Sequence, residues 1–252
     1  MRAIILSGAG RYDDPWHPYP ETSARLAELA RNAGFEVEVR EDVDDALATL
    51  DDDVTLLVVN AGDPDGPIPD GGDDGADDLV DPAALDAALE RGIGILAMHA
   101  AASSLRDYGA FDRALGARWE PDESWHSPLG DALVHLVGNH PVREGIDDFT
   151  VEDERYADLH QYEVIEPIAE HVEGGIRHPL VWGRELGRSR LVYDALGHDT
   201  RSYDSAEHRA LISQALAWLS QVPAPSAGDF GGDTGDGGEG GGAGDVADGR
   251  AG

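Results

Sequence analysis

The stretch GIGILAMHAAASS, residues 92–104, decides the fold class. Its first seven residues are apolar apart from two glycines, which predicts a short strand that is covered on both faces of a sheet. His99 follows at the carboxyl end of that strand, and small residues lead on into a helix. In open α/β sheets, ligands bind beyond the carboxyl ends of the strands, and a sharp strand-to-helix turn can present a catalytic side chain there. His99 is therefore the first candidate functional residue.

Strands and helices are predicted to alternate on both sides of this stretch. In the first half, strands are predicted at Arg2–Gly8, Phe35–Arg40, Val54–Asn60 and Ile93–Met98, and helices at Pro20–Ala33, Pro82–Arg91 and Ser103–Leu115. In the second half, strands are predicted at Asp131–Val137 and Gln161–Ile165, a hairpin at Leu180–Arg184 and Arg190–Asp194, and a closing helix at Ser205–Ser220. This order predicts an α/β fold with a doubly wound sheet.

One folded domain is expected, spanning residues 1–220, because 252 residues suffice for a single α/β domain. Residues 62–81 are rich in Asp, Gly and Pro, and we expect an acidic, solvated loop insertion at 63–81. Residues 221–252 contain 12 Gly, and 6 acidic residues against 1 Arg. That composition leaves almost nothing to bury, so a disordered tail is predicted.

The charge of the chain limits its partners. Asp and Glu number 51 against 18 basic residues, all of them Arg, which gives a net charge of −33. Such a field repels nucleic acids and anionic membranes, so neither is expected as a partner. Self-repulsion opposes folding at low salt, and the screening length falls from about 8 Å at physiological ionic strength to about 3 Å at molar salt. We therefore expect a halophilic, acidic protein from a salt-loaded cytoplasm.

The lack of cysteine and the hydropathy of the chain narrow the class of protein further. The chain has no cysteine, so it has neither a disulfide nor a thiol nucleophile. The apolar run at its start is too short for a secretory signal, and no stretch approaches the roughly 20 apolar residues of a membrane span. A cytoplasmic location is the simplest interpretation.

Ten histidines supply most of the other candidate site residues. His17 and His198, like His99, come where predicted strands have ended. His126 and His140 lie in irregular segments, and the pair Asp153-Glu154 is followed by Tyr156. A lone histidine in a loop is by default a surface residue. We assign four of the others to the surface and His135 to a structural role in a strand; the four are His160, His171, His178 and His208.

Familiar cofactor motifs are missing from the sequence. The stretch SGAG at residues 7–10 follows a strand, but it lacks the third glycine of a dinucleotide-binding turn and does not run into a helix. A phosphate-binding loop needs a lysine, and the chain has none. There is no HExxH and no local histidine pair with metal-site spacing, so a metal site would have to be assembled from distant loops.

Several separated pieces of the chain carry a family resemblance. They are GIGILAMHAA at 92–101, His140-Pro141 before Gly145-Ile146 and Phe149, DERY at 153–156, PLVWGR at 179–184, GRSR at 187–190, LGHD at 196–199 and a last helix with Trp218. In their order and spacing they resemble the ThuA-like (trehalose utilisation) family, whose fold is similar to that of class I glutamine amidotransferases.

The resemblance implies a flavodoxin-like, three-layer, doubly wound sheet in a single domain. It places His99 where an amidotransferase has its nucleophilic cysteine, so glutamine hydrolysis through a thioester is not expected. Family members are linked to disaccharide breakdown in the company of oxidoreductases that make keto-sugars. The expected partners are thus a small carbohydrate and such an oxidoreductase. Whether the chain forms a homo-oligomer is left open.

Three functional hypotheses stay open at this point. In the first, the protein is an isomerase, lyase or hydrolase acting on a sugar or keto-sugar, with His99, His198 and Glu154 as acid/base groups or as ligands of a divalent metal such as zinc. His17, His126, Tyr156 and Trp125 would then bind the substrate. In the second, a non-catalytic carbohydrate-binding or regulatory protein stacks Trp16, Trp125 and Tyr156 on sugar faces. The third is an amidohydrolase-like enzyme that uses a metal-bound water.

Overall fold

The computed structural model describes residues 1–66 and 80–220. The predicted tail at 221–252 lies outside the described residues, as do residues 67–79 of the predicted insertion. The proposed domain boundary at residue 220 stays a prediction.

One half of the main sheet is parallel. It consists of β1 (Arg2–Ser7), β2 (Glu36–Arg40), β3 (Val54–Asn60), β4 (Gly94–Met98) and β11 (Ser189–Asp194). These strands lie in the order β2-β1-β3-β4-β11, and each pair of neighbours is parallel. This is the flavodoxin-like order, in which the carboxyl ends of all five strands meet along one edge.

Helices cover both faces of this parallel half. They are α1 (Tyr19–Asn32), α2 (Val43–Ala48), α3 (Pro82–Arg91), α4 (Gly109–Leu115) and α5 (Ala206–Ser220). Helix α1 packs beside α5, while α2, α3 and α4 pack in a row, so that the fold has three layers. Helix α3 shows why the sequence predicted its ends: the Asp81 side chain accepts a hydrogen bond from the Ala83 amide, Pro82 is its first residue, and Gly92 ends it at φ +106°.

The other half of the sheet is antiparallel. Strand β10 (Ile176–Leu186) pairs with β11, and β9 (Glu166–Glu173), β6 (Trp125–Leu136) and β7 (Phe149–Ala157) follow in that order. Two short strands, β5 (Ala117–Arg118) and β8 (His160–Gln161), form a separate antiparallel pair. No helix among the described residues is long and apolar enough to cross a membrane.

The structure confirms the α/β fold class and the predicted hairpin of β10 and β11. The predicted helix Ser103–Leu115 is wrong in its first half. Residues His99–Ala102 form a 3₁₀ turn, Leu105 has a φ of +50° that no regular helix accommodates, and α4 begins only at Gly109.

The predicted strand Gln161–Ile165 is also wrong, and three strands were not predicted: the two-residue β5 and the longer β7 and β9. Only Gln161 belongs to β8, because the amides of Tyr162 and Glu163 both donate to the Gly116 carbonyl instead of continuing a ladder. Strands β7 and β9 carry so many charged residues that their alternation is weak in sequence.

Three histidines that were assigned to the surface are buried, so that assignment is wrong. His171 and His178 lie opposite each other on β9 and β10, and their rings stack with centroids 5.1 Å apart. His208 is fully buried at the start of α5. Each imidazole gains a partner that is distant in sequence or on another strand, which the local pattern does not show.

Candidate active site

A cavity of about 800 Å³ opens at the carboxyl edge of the parallel strands. The loops that follow β1, β3, β4 and β11 line it on one side, and residues of β6 and β7 line it on the other. Both halves of the sheet thus contribute to one site, at the place where α/β sheets bind ligands.

His99 occupies a sharp turn at the end of β4. Its φ of +41° lies in the left-handed region, which a residue with a side chain rarely adopts. The ring Nδ1 donates to the Ala195 carbonyl at 2.6 Å, and the Tyr193 hydroxyl donates to the His99 carbonyl at 2.9 Å. Burial, with the neighbouring His17 adding to it, holds the pKa of His99 well below its ordinary value. The ring is therefore neutral, with a lone pair on Nε2.

His17 is oriented by a carboxylate three residues earlier in the chain. Its Nδ1 donates to Asp14 Oδ2 at 2.7 Å, and the Tyr19 hydroxyl donates to the same oxygen at 2.6 Å. Burial alone would raise the pKa of Asp14, but the contacts with His17, Tyr19 and the Trp16 amide together outweigh it and the pKa is lowered. With its proton on Nδ1, His17 carries a lone pair on Nε2. That atom is buried and forms no hydrogen bond within the described part of the chain.

Glu154 stands between the imidazoles. Its Oε2 lies 3.3 Å from His198 Nδ1 and 3.7 Å from His99 Nε2, and its Oε1 lies 3.4 Å from His126 Nδ1. Burial raises the pKa of Glu154, but His198 and the other imidazoles outweigh it and hold the pKa below its usual range. Glu154 is therefore ionised, and it raises the pKa of His198 although burial of that ring works in the opposite direction.

The neighbouring carboxylate, Asp153, positions the loop that carries His198. Buried on the opposite side of β7, Asp153 accepts hydrogen bonds from the Gly197 amide at 2.8 Å and the His198 amide at 3.3 Å. Gly197 has a φ of +114°, and a Cβ there would lie 2.9 Å from the Tyr203 hydroxyl. Only glycine fits this approach. The two adjacent acids thus have different tasks.

Tyr156 completes the wall above His99. Its hydroxyl lies 3.0 Å from His99 Nε2, and burial raises its pKa well above the ordinary value, so it is a neutral phenol that donates to that nitrogen. The Trp119 ring packs against Tyr156 with centroids 4.7 Å apart and approaches His126 at 5.8 Å. The cavity therefore combines polar groups at its base with aromatic faces on its wall.

Six of the seven predicted site residues come together here. His17, His99, Glu154 and His198, which we call the histidine–glutamate cluster, offer donor atoms that all lie within 4.8 Å of one another. His126 and Tyr156 border the cluster. Their roles in catalysis or binding stay predictions.

The seventh residue, Trp125, is not among the residues that line the cavity, and its role in binding stays a prediction. Its indole Nε1 donates to Asp158 Oδ2 at 2.7 Å, and its ring packs towards His178. Because neighbouring residues of a strand point to opposite faces, His126 faces the cavity and Trp125 faces away.

Two residues of the site were missed in the sequence, Asp14 and Trp119. The spacing of Asp14 and His17 was the available signal for the first, since a carboxylate three residues away can reach an imidazole. Nothing in the sequence around Trp119 distinguishes it from the other tryptophans.

Comparison with known proteins assigns the chain to a family. A family model described as ThuA, trehalose utilisation, matches residues 2–219. The chain belongs to the ThuA family. This confirms the resemblance in sequence, and the matched region contains every residue of the histidine–glutamate cluster. No curated protein matches the chain.

Solved structures that resemble this ThuA-family protein support the fold. A ThuA-like protein from Parabacteroides merdae is 16% identical, with a TM-score of 0.70 over 89% of this chain and 92% of the other. A ThuA-like protein from Bacteroides uniformis is also 16% identical, with a TM-score of 0.66 over 87% of this chain and 91% of the other.

A similar fold occurs inside a larger enzyme. A polyextremophilic β-galactosidase from the haloarchaeon Halorubrum lacusprofundi is 15% identical, with a TM-score of 0.53, and the match covers 88% of this chain but 30% of the enzyme. At these identities the three likenesses show a shared fold.

Proposed function

We propose that this ThuA-family protein is an enzyme that acts on a disaccharide or keto-sugar by proton transfer at the histidine–glutamate cluster. The observation that carries the proposal is the convergence of three imidazoles and an ionised carboxylate at the base of the cavity. The family's link to trehalose utilisation supports a carbohydrate as the substrate. The cavity volume of about 800 Å³ falls in the range of roughly 300–1,000 Å³ that is usual for small-molecule sites.

The protonation states of the cluster suit removal of a proton from a carbon next to a carbonyl. Glu154 is ionised, so it can accept the proton. His99 is neutral, and its Nε2 can accept the proton once the Tyr156 hydroxyl, which donates to it in this structure, turns to the substrate. The electron pair of the broken C–H bond moves towards the carbonyl oxygen, where negative charge develops. A donor is needed there, and Tyr156 is a neutral phenol at the same place. His198, whose pKa Glu154 raises, can return a proton.

The aromatic residues of the cavity supply surfaces for a sugar ring. Trp16 lines the cavity with 60% of its surface exposed, and Trp119 lines it beside Tyr156. Aromatic faces pack against the C–H faces of a sugar, while polar groups such as His17 and His126 bond its hydroxyls.

Hydrogen–deuterium exchange tests the proposal directly. Disaccharides and their keto derivatives are incubated with the protein in D₂O, and proton NMR follows the loss of the proton next to the carbonyl and the formation of product. His99→Ala and Glu154→Ala should each lower the exchange rate by about 10²–10⁴-fold, the contribution usual for an acid/base group. His160→Ala is the control, because that imidazole is exposed and pairs with Glu123 away from the cavity.

If neither cavity variant alters exchange or turnover of an accepted substrate, the role assignment is wrong. Saturable sugar binding by calorimetry, without exchange or turnover, would support the alternative of a carbohydrate-binding or regulatory protein. Release of ammonia from an amide would support the amidohydrolase-like alternative.

We also propose that the protein works in a salt-loaded cytoplasm. The net charge of −33 gives strong self-repulsion, which molar salt screens. The melting temperature should rise between low and molar KCl. Sucrose of equal osmolality is the control, because it stabilises by exclusion from the surface without screening charge. A melting temperature that does not rise with KCl would contradict this proposal.

A further inference from the structure

The geometry points to a divalent transition-metal site of the zinc class in the histidine–glutamate cluster. Its ligands are Nε2 of His17, Nε2 of His99, Nδ1 of His198 and the Glu154 carboxylate. The inference deepens the proposed function, because it concerns the same cavity and names the electrophile of the reaction.

The first argument is the kind of atoms that meet. His17 and His99 each use their Nδ1 to bond a partner outside the cluster, so both present Nε2 inwards. The Nε2 of His99 contacts the Tyr156 hydroxyl, and that of His17 has no partner among the described residues. The Glu154 carboxylate adds two more acceptor oxygens, and its Oε2 lies 3.3 Å from His198 Nδ1. Such a concentration of lone pairs in a buried place is unfavourable unless a cation joins them.

The second argument is how the two imidazoles are held. Metal-bound histidines almost always donate their other ring N–H to a carboxylate or a backbone carbonyl, which fixes the tautomer and the ring plane. Here Asp14 serves His17, and the Ala195 carbonyl serves His99. Tyr19 in turn donates to Asp14, so the orienting carboxylate is itself held.

The third argument is distance. Zinc binds nitrogen and oxygen at about 2.0–2.2 Å, so tetrahedral ligand atoms lie roughly 3.3–3.6 Å apart. Glu154 Oε2 lies 3.3 Å from His198 Nδ1 and 3.7 Å from His99 Nε2. All four donors are within 4.8 Å of one another, so small side-chain movements would close them around an ion. Imidazole with one carboxylate suits zinc and its neighbours better than calcium or magnesium.

An ion pair between His198 and Glu154 explains only part of this arrangement. It brings His198 Nδ1 within 3.3 Å of Glu154 Oε2, yet neither that nitrogen nor the buried Nε2 of His17 has a hydrogen-bond partner among the described residues. A metal ion satisfies all four groups at once. When bound, it would polarise a substrate carbonyl oxygen as a Lewis acid. His99 and one Glu154 oxygen would then be ligands, so the second Glu154 oxygen, on the side of His126, would be left to take the proton.

The experiment uses the full chain in molar KCl, stripped of metal with a chelator. Calorimetric titration with ZnCl₂ should show one ion per chain, and CoCl₂ should give the intense visible absorption of a four- or five-coordinate site. His17→Ala should weaken zinc binding by at least about 100-fold. Asp14→Asn, a change in a positioning residue, should weaken it by about 10–100-fold. His160→Ala should leave zinc binding unchanged, since His160 and Glu123 form an exposed histidine–carboxylate pair outside the cluster.

Absence of saturable binding by the wild-type chain would overturn the inference. So would equal losses in His17→Ala and His160→Ala, because the acidic surface would then be the binder. Circular dichroism checks folding; if His17→Ala does not fold, Asp14→Asn and the cobalt spectrum decide. Zinc binding by a chain that binds no sugar would keep the metal site and remove the proposed function. Full exchange activity of the stripped protein would keep the function and remove the metal site.

Discussion

Two buried regions of the molecule use the same residue types in different ways. In the histidine–glutamate cluster, neither His17 Nε2 nor His198 Nδ1 has a hydrogen-bond partner among the described residues, and both residues line the cavity. In the first turn of α5, the buried His208 forms hydrogen bonds at both ring nitrogens. Its Nε2 lies 3.1 Å from Asp194 Oδ2, and its Nδ1 lies 2.9 Å from Ser202 Oγ. We call Asp194, Ser202 and His208 the His208 network. One region keeps bonding capacity for a ligand, whereas the other uses it within the fold.

The pKa values of the buried histidines also differ between the two regions. Burial and the neighbouring imidazoles lower the pKa of His99, which stays neutral. Burial also works to lower the pKa of His208, but the Asp194 carboxylate outweighs it and raises the pKa above the ordinary value. A buried histidine with a full set of partners supports stability. A buried ring nitrogen without a partner beside a cavity, such as His17 Nε2, is the better candidate for function.

Replacing Glu154 should have the largest effect on activity. Glu154→Gln removes the negative charge on which three imidazoles converge, so substrate turnover should fall by about 10²–10⁴-fold while the chain stays folded. Glu152→Gln is the matched control, because Glu152 lies on the same strand with its side chain about half exposed and paired with Arg201. Equal turnover by the two variants would show that the cluster is structural after all.

Replacing His208 should instead reduce stability. His208→Ala leaves the buried Asp194 carboxylate unpaired, and breaking such a pair typically lowers the free energy of unfolding by about 3–5 kcal/mol. Urea unfolding at constant KCl measures the loss. His135→Ala should change the free energy by no more than about 0.5–1 kcal/mol, because its partner Asp148 is half exposed. If the folded His208→Ala protein lost its zinc and sugar affinity as well, the separation of the two regions would be wrong.

The sequence predicted the first region far better than the second. His17, His99 and His198 follow strands of a parallel sheet, and a sheet edge gathers strand ends whatever the distance along the chain. No comparable rule predicts the His208 network from the sequence. Asp194 ends β11 and His208 lies in the first turn of α5, and only the packing of these elements makes them neighbours.

The same contrast applies to the elements of the fold. Continuous apolar runs predicted β1, β3 and β4 closely, since parallel strands are buried on both faces. Strands β7 and β9 expose one face and carry acids there, so their pattern resembles that of a loop. The placement of Trp125 outside the cavity lining has a related cause, because a shift of one residue in strand phase exchanges Trp125 for His126 at the cavity.

The pH dependence of stability should distinguish the His208 network from the other buried histidines. A folded-state pKa above the ordinary value means that His208 stabilises the fold fully below about pH 6.5, and that this contribution disappears as pH rises through the folded pKa. The difference in unfolding free energy between wild type and His208→Gln should therefore be larger at pH 6 than at pH 9.

Wild type must be compared with His208→Gln because the pKa values of other buried histidines are shifted in the opposite direction. His99, His140 and His171 have lowered pKa values, so they contribute stability that is lost as pH falls. The groups that face His208 are Asp194, Ser202 and Tyr203, with Asp153 nearby. A difference that grows with pH would mean that Asp194 does not hold the proton on His208.

The smallest predicted effect is the loss of sugar affinity when an aromatic residue at the edge of the cavity is replaced. Trp16 and Trp125 are both exposed, at 60% and 41%, but only Trp16 lines the cavity. Trp16→Ala should weaken sugar binding by about 1 kcal/mol, roughly fivefold, because it removes an aromatic face and leaves the polar cluster intact. Trp125→Ala should leave the affinity unchanged, since its indole is bonded to Asp158 on the other face of β6. Calorimetry with an accepted sugar measures both. A loss in Trp125→Ala alone would place the sugar outside this cavity, and the contrast between the two buried regions would then no longer locate the site.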